Sequence, residues 1–197
     1  MTKILYYSRM ETFQNYASEH LSLIKDSSNE QNIIKLFNRI LQAINTEAIV
    51  YTVGNGGSYA TAEHFAADLN LTFQRCGQRI RAYCIGSQLS TQTALSNDIS
   101  YEKALSLQLE NVFRETDVLI AFSASGNSLN IIESINCAKN FGVDVFSFTG
   151  FNGGKILNFD WVSKIHIDSQ NGKYGEIENI HLMICHYIVD LICKKFI

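Results

Sequence analysis

Proline is absent from this 197-residue chain, which removes the usual marker of helix ends and leaves glycine, asparagine and serine to punctuate the turns. The absence carries no functional reading of its own. Charge is also scarce: 18% of the residues are charged and the formal net charge is −3. With no basic surplus to attract a polyanion, neither nucleic acid nor a membrane surface is an expected partner. No apolar run is long enough to span a bilayer, and Met1–Ser8 is too short for the apolar core of a signal peptide. A soluble, cytoplasmic protein is expected. The five cysteines, Cys76, Cys84, Cys137, Cys185 and Cys193, are odd in number, lack C-x-x-C spacing and fall mostly in apolar segments. They read as reduced packing residues.

What is present is a 46% hydrophobic content, enough for the core of one ordinary domain over residues 1–197. The most informative stretch is Gly54-Asn55-Gly56-Gly57-Ser58. The β-branched run 48–53 enters it and the alanine-rich run 59–68 leaves it, which predicts strand, tight turn and helix. Glycines let backbone N–H groups approach a ligand, and the helix N-terminus behind them favours an anion. Ser58 adds a hydroxyl, as N-cap or as a phosphate ligand. An Asn-Gly turn closed by a capping serine uses the same residues without a ligand, so other stretches must decide.

Two amphipathic helices are predicted before this turn, in the segment 1–46. The first runs from about Met10 to Lys25; the second is capped by Ser28 or Asn29 and carries the stripe Ile33, Ile34, Phe37, Ile40, Leu41 and Ile44. Strands are predicted at 79–85, 117–122, 143–149 and 161–167. Helices are predicted on either side of Asn97-Asp98, the second over 101–114, and at 129–141 and 176–196; residues 150–154 read as a turn. Strand alternating with helix predicts an α/β three-layer sandwich around a parallel sheet. Ligands of such sheets bind at the carboxyl ends of strands, beside the topological switch point. A second loop at such an end, Ser123-Ala124-Ser125-Gly126-Asn127-Ser128, has the chemistry of a phosphate cradle without a Walker lysine. A serine-rich capped turn is the plain alternative.

Val53-Gly54-Asn55-Gly56-Gly57-Ser58, His64-Phe65-Ala66-Ala67, Ser96-Asn97-Asp98, Asp117-Val118-Leu119-Ile120, Ser125-Gly126-Asn127-Ser128 and Thr149-Gly150 follow one another in this order. Together they resemble the sugar isomerase (SIS) domain, in its phosphoheptose isomerase branch, from about Phe13 to the C-terminus. The resemblance implies a five-stranded parallel sheet flanked by helices, a homotetramer, and interconversion of sedoheptulose 7-phosphate with D-glycero-D-manno-heptose 7-phosphate. It also implies that Ser123, Ala124, Ser125 and Ser128 hold the phosphate. Asn55, Gly56, Gly57 and Ser58 would shape the sugar pocket, with Asn97 and Asp98 on the sugar hydroxyls.

Aldose–ketose isomerisation needs a base for the proton beside a carbonyl and an acid or metal to stabilise the enediolate. His64 and Asp68, four apart, share one helix face. Glu178 and His186 are about 80° apart around the last helix, so both are expected to lean into one cleft. Two imidazoles and two carboxylates make a zinc set. The resemblance assigns the same four residues to the metal, one zinc per subunit, with Asp68 as base, His186 as acid and Glu178 beside the substrate. His20 and His181 are left to packing or surface. The chain departs from the branch in several places. Asp68 stands where glutamate is usual, Glu178 where glutamine is, Ala124 where threonine is, Thr72 where arginine is, and Gly175 where aspartate often is. The shorter Asp68 withdraws its carboxylate by about 1.5 Å, while the extra carboxylate of Glu178 helps to balance a dication. Arg75, one turn past Thr72, is the candidate for the missing cation.

A non-catalytic reading stands beside the enzyme: a SIS-fold sugar-phosphate-binding or regulatory protein, like relatives that associate with the replication initiator. Those relatives tend to lose the last-helix histidine, and its presence as His186 favours the enzyme.

Overall fold

The computed structural model describes residues 12–25 and 29–197. Met1–Ser8, the expected helix start at Met10 and the Ser28 cap lie outside the described residues. Two helices open the described chain, α1 (Phe13–Lys25) and α2 (Glu30–Thr46). A regular alternation follows: β1 (Ile49–Val53), α3 (Gly56–Asn70), a short α4 (Thr72–Cys76), β2 (Arg81–Cys84), α5 (Leu89–Asp98) and α6 (Ala104–Glu110). Next come β3 (Val118–Ser123), α7 (Leu129–Asn140), β4 (Asp144–Phe151), a 3-10 turn (Gly154–Asn158), β5 (Ser163–Asp168) and α8 (Tyr174–Phe196).

The five strands form one parallel sheet in the order β2-β1-β3-β4-β5. The chain steps outward from β1 to β2 and then returns to the other side of β1 as β3. The loops that leave β1 and β3 therefore lie side by side, with Val53 in register with Ala121. Strand β3 is buried along its whole length, because helices cover both sheet faces. Its alternate residues feed two cores: Val118, Ile120 and Phe122 pack with Phe65 of α3 and Ile188 of α8, whereas Leu119 and Ala121 pack with Ile131 and Ile135 of α7.

Several local expectations are corrected. Asn29 does not cap α2 with its side chain. Its amide instead pairs with the β5 backbone, donating to the His166 carbonyl at 2.7 Å and accepting from the His166 N–H at 2.8 Å. Strand β4 runs on to Phe151, so Gly150 is a strand residue, and a side chain there would overlap Ile177 of α8. Asn97 and Asp98 end α5 rather than separating two helices, and α4, too short to show a periodicity, was not expected. None of the ten residues of α5 is buried. All five cysteines are free, and Cys84, Cys137 and Cys185 are buried. Among the described residues, no helix is long and apolar enough to cross a membrane.

Candidate active site

The loop after β1 turns sharply at Gly56, whose φ is +54°. A side chain at Gly54 would strike the Ser58 backbone, so the chain folds back on itself only because that position is bare. Helix α3 begins at Gly56 with Asn55 at its N-cap position. Ser58 is therefore not the cap; it lies within the first turn, buried. The Asn55 amide is committed to a different task. It exchanges hydrogen bonds with the Asn130 amide, 2.8 Å each way, and its Oδ1 also accepts from the Tyr101 hydroxyl at 2.8 Å. This cluster ties the first loop to the start of α7. Neither Tyr101 nor Asn130 was singled out from the sequence, since both reach Asn55 only through the fold.

The serine loop is stapled from below. Gly126 sits at φ +62°, where a side chain would overlap the Gly153 carbonyl. Asn127 accepts from the Lys155 N–H at 3.1 Å and donates to the Ser125 carbonyl at 3.0 Å. Ser128 opens α7 without a side-chain cap bond, and its hydroxyl lies 3.3 Å from that of Ser123. Ser58, Ser123, Ala124, Ser125 and Ser128 line one cavity of about 120 Å³ with Asn55, Tyr174 and Glu178. Among the described residues lining it there is no lysine or arginine; hydroxyls and the N-terminus of α7 supply the attraction for an anion. Glu178 fits there because Gly57 is bare, since any side chain at that position would overlap the carboxylate. Burial pushes the Glu178 carboxyl above its usual range.

The other cluster stands further along α3. Asp68 is buried, and its Oδ2 lies 3.5 Å from His64 Nε2 and 3.7 Å from Nε2 of His186 on α8. The two imidazoles are 5.0 Å apart at 70° and about half exposed. One ligand atom from each of the three residues falls within 4.8 Å of the others, a donor set that fits a divalent cation and leaves its outer side open. Asp68 Oδ1 accepts from Arg75 Nη2 at 3.0 Å.

Glu178 does not join this group. Sharing a side of α8 does not shorten the axial distance, and the eight residues between Glu178 and His186 rise about 12 Å. Likewise Ser58 and Asp68 are separated by about 15 Å of α3. Helices α3 and α8 pack together, so the phosphate-type cavity and the imidazole–carboxylate triad occupy different levels of one helix pair. Asn97 and Asp98 are exposed at the end of α5, hydrogen-bonded to each other at 2.9 Å. They line neither the serine cavity nor the adjoining space of about 170 Å³ beside Gly54, Gly56 and Tyr101. A larger cavity, about 590 Å³, lies elsewhere, between the β2 edge, α5 and α6, and holds none of the predicted site residues.

His181 is fully buried between Phe122 and Phe148, with Nε2 3.3 Å from the Thr149 carbonyl. Burial draws its pKa from 6.5 to about 4. The ring is neutral at physiological pH, and Nε2–H donates to that carbonyl. His20 packs on Tyr16. The remaining groups can bind an anion at one level and exchange protons at the other, the two requirements of phosphosugar isomerisation.

The sequence profile of the SIS domain matches residues 12–150. The chain is 33% identical over 168 residues to a probable phosphoheptose isomerase of Thermoplasma acidophilum, covering 85% of this chain and 91% of that protein. It is 34% identical over 146 residues to the phosphoheptose isomerase of Laribacter hongkongensis, covering 74% of each. Its fold matches the solved phosphoheptose isomerase of Neisseria gonorrhoeae with a TM-score of 0.81 at 26% identity, over 90% of this chain and 95% of that one.

Proposed function

The chain belongs to the SIS domain family and, within it, to the phosphoheptose isomerases, and we propose that it interconverts sedoheptulose 7-phosphate and D-glycero-D-manno-heptose 7-phosphate. The observation that carries this reading is the coexistence of a hydroxyl-lined anion cavity with a buried carboxylate facing two imidazoles. Ser123, Ser125 and Ser128 bind the phosphate with the Ala124 backbone, and Asn55 to Ser58 shape the sugar pocket. Asp68 takes the proton from the carbon beside the carbonyl, and His186 exchanges a proton with the enediolate oxygen. His64, Asp68 and His186 would hold a zinc ion, which when bound supplies Lewis-acid stabilisation of the enediolate. Residues 1–197 act as a single cytoplasmic domain on a soluble phosphosugar.

The separation of the two levels argues for an assembly. An open-chain heptose phosphate reaches roughly 10 Å from its carbonyl carbon to phosphorus, given bonds of about 1.5 Å. Along α3 and α8, the backbone positions of Asp68 and His186 stand about 15 and 12 Å from those of the cavity-lining Ser58 and Glu178, more than that length. In a homotetramer, a neighbouring copy would bring its triad to this cavity, and Glu178 of that cavity would serve as the fourth residue holding the metal. No residue of helix α5 is buried in the single chain and Leu89 is exposed, while Ile99 and Tyr101 just beyond it are also exposed. Covering this surface would carry Asn97 and Asp98 to a neighbour's sugar.

Two measurements test the reading. Purified protein given sedoheptulose 7-phosphate is expected to produce the aldose; no product, with or without zinc, rejects the activity. Subunits lacking the cradle hydroxyls, mixed with His186→Ala subunits, are expected to regain about a quarter of the activity if each site joins two randomly assorted copies. No recovery in mixed oligomers rejects the shared site.

A further inference from the structure

Asp68 is gripped from two sides. Its Oδ2 faces Nε2 of His64 and of His186 at 3.5 and 3.7 Å, whereas its Oδ1 accepts from Arg75 Nη2 at 3.0 Å. The guanidinium is delivered by α4, which folds back immediately after α3. At its start the Thr72 hydroxyl lies 2.7 Å from each of the Leu69 and Gln78 carbonyls, and Gly77 closes it at φ +74°. Short as it is, α4 is a fixed bracket for Arg75.

We propose that Arg75 is a positioning residue that makes Asp68 a one-oxygen ligand: it occupies Oδ1 and leaves only Oδ2 to join His64 and His186 around a divalent cation. This rests on the reading of the triad as a metal site. Two effects of Arg75 oppose each other. Its positive charge repels an incoming cation, but the side chain is 47% exposed, so water and salt weaken that repulsion. Its hydrogen bond to Oδ1 acts at contact on a carboxylate that is only 8% exposed and fixes the direction of the second oxygen. Orientation outweighs repulsion, so Arg75 favours the bound cation.

The test is titration of the purified full-length protein with Zn²⁺ and with Co²⁺, whose visible spectrum reports coordination number without any activity measurement. The unaltered protein is expected to bind one ion per chain. Arg75→Ala should bind about ten- to a hundredfold more weakly, with a Co²⁺ spectrum moved toward higher coordination as both Asp68 oxygens become free. Arg75→Lys, which keeps one donor and the charge, should recover part of the affinity; it serves as the readout should the alanine variant not fold. An alanine variant that binds as tightly as the unaltered protein or more so, with an unchanged spectrum, overturns the inference and leaves the metal site standing. An unaltered protein that binds neither ion overturns the metal-site reading, and the role of Arg75 with it.

Discussion

The serine cradle, a loop between β3 and α7, and the histidine–aspartate triad, on α3 and α8, are built in opposite ways. The cradle attracts an anion without a cation of its own, using hydroxyls and the start of α7, and its shape is held by backbone at Gly126, Gly153 and Gly154. The triad depends on three ionisable side chains from two helices, braced by a guanidinium from a third. On the proposed assignment, phosphate binding rests on serine hydroxyls held in place by main-chain geometry, while proton transfer rests on side chains whose placement depends on packing. Damage to the first should be felt as lost binding, and damage to the second as lost turnover.

The largest effect is expected at the triad. Asp68→Ala or His186→Ala should lower kcat by about 10²- to 10⁴-fold with KM little changed, measured in steady state with sedoheptulose 7-phosphate. Next comes the cradle: Ser125→Ala should raise KM by about 10- to 100-fold, since a hydrogen bond to a charged group contributes about 1.5–3 kcal/mol. A kcat loss as large as that of the triad variants would break the division between the two regions. The smallest effect concerns His181, beneath the cradle. Its folded pKa of about 4 lies below its ordinary 6.5, so only the unfolded chain takes up its proton between these values, and stability falls as pH drops through that window. Urea midpoints should decline from pH 6.5 toward 4, and His181→Gln should flatten part of that slope. An unchanged slope would mean that this ring does not titrate on unfolding.

The same contrast explains how much could be read in advance. Both loops were legible because Gly56 and Gly126 mark turns by local sterics, and the nearly continuous apolar run of β3 marks a strand covered on two faces. Asn55 was legible as a loop residue, but its partners Tyr101 and Asn130 were not, because they lie 46 and 75 positions further along the chain. Glu178 and His186 were grouped by their angle around the helix, by donor type and by the family resemblance, and the axial rise of α8 separates them within one chain.

By itself, the sequence determined the α/β class, the order of elements, the two loops and the residue types able to carry the chemistry. These follow from periodicity and turn preferences that act between near neighbours. Only the tertiary structure decided which of those residues meet. It set His64, Asp68 and His186 together, brought Arg75 onto the outer oxygen of Asp68, and left Glu178 with the serines. Those distances arise from how rigid helices of fixed rise pack on a sheet whose strand order doubles back at β1, which no local stretch of chain specifies.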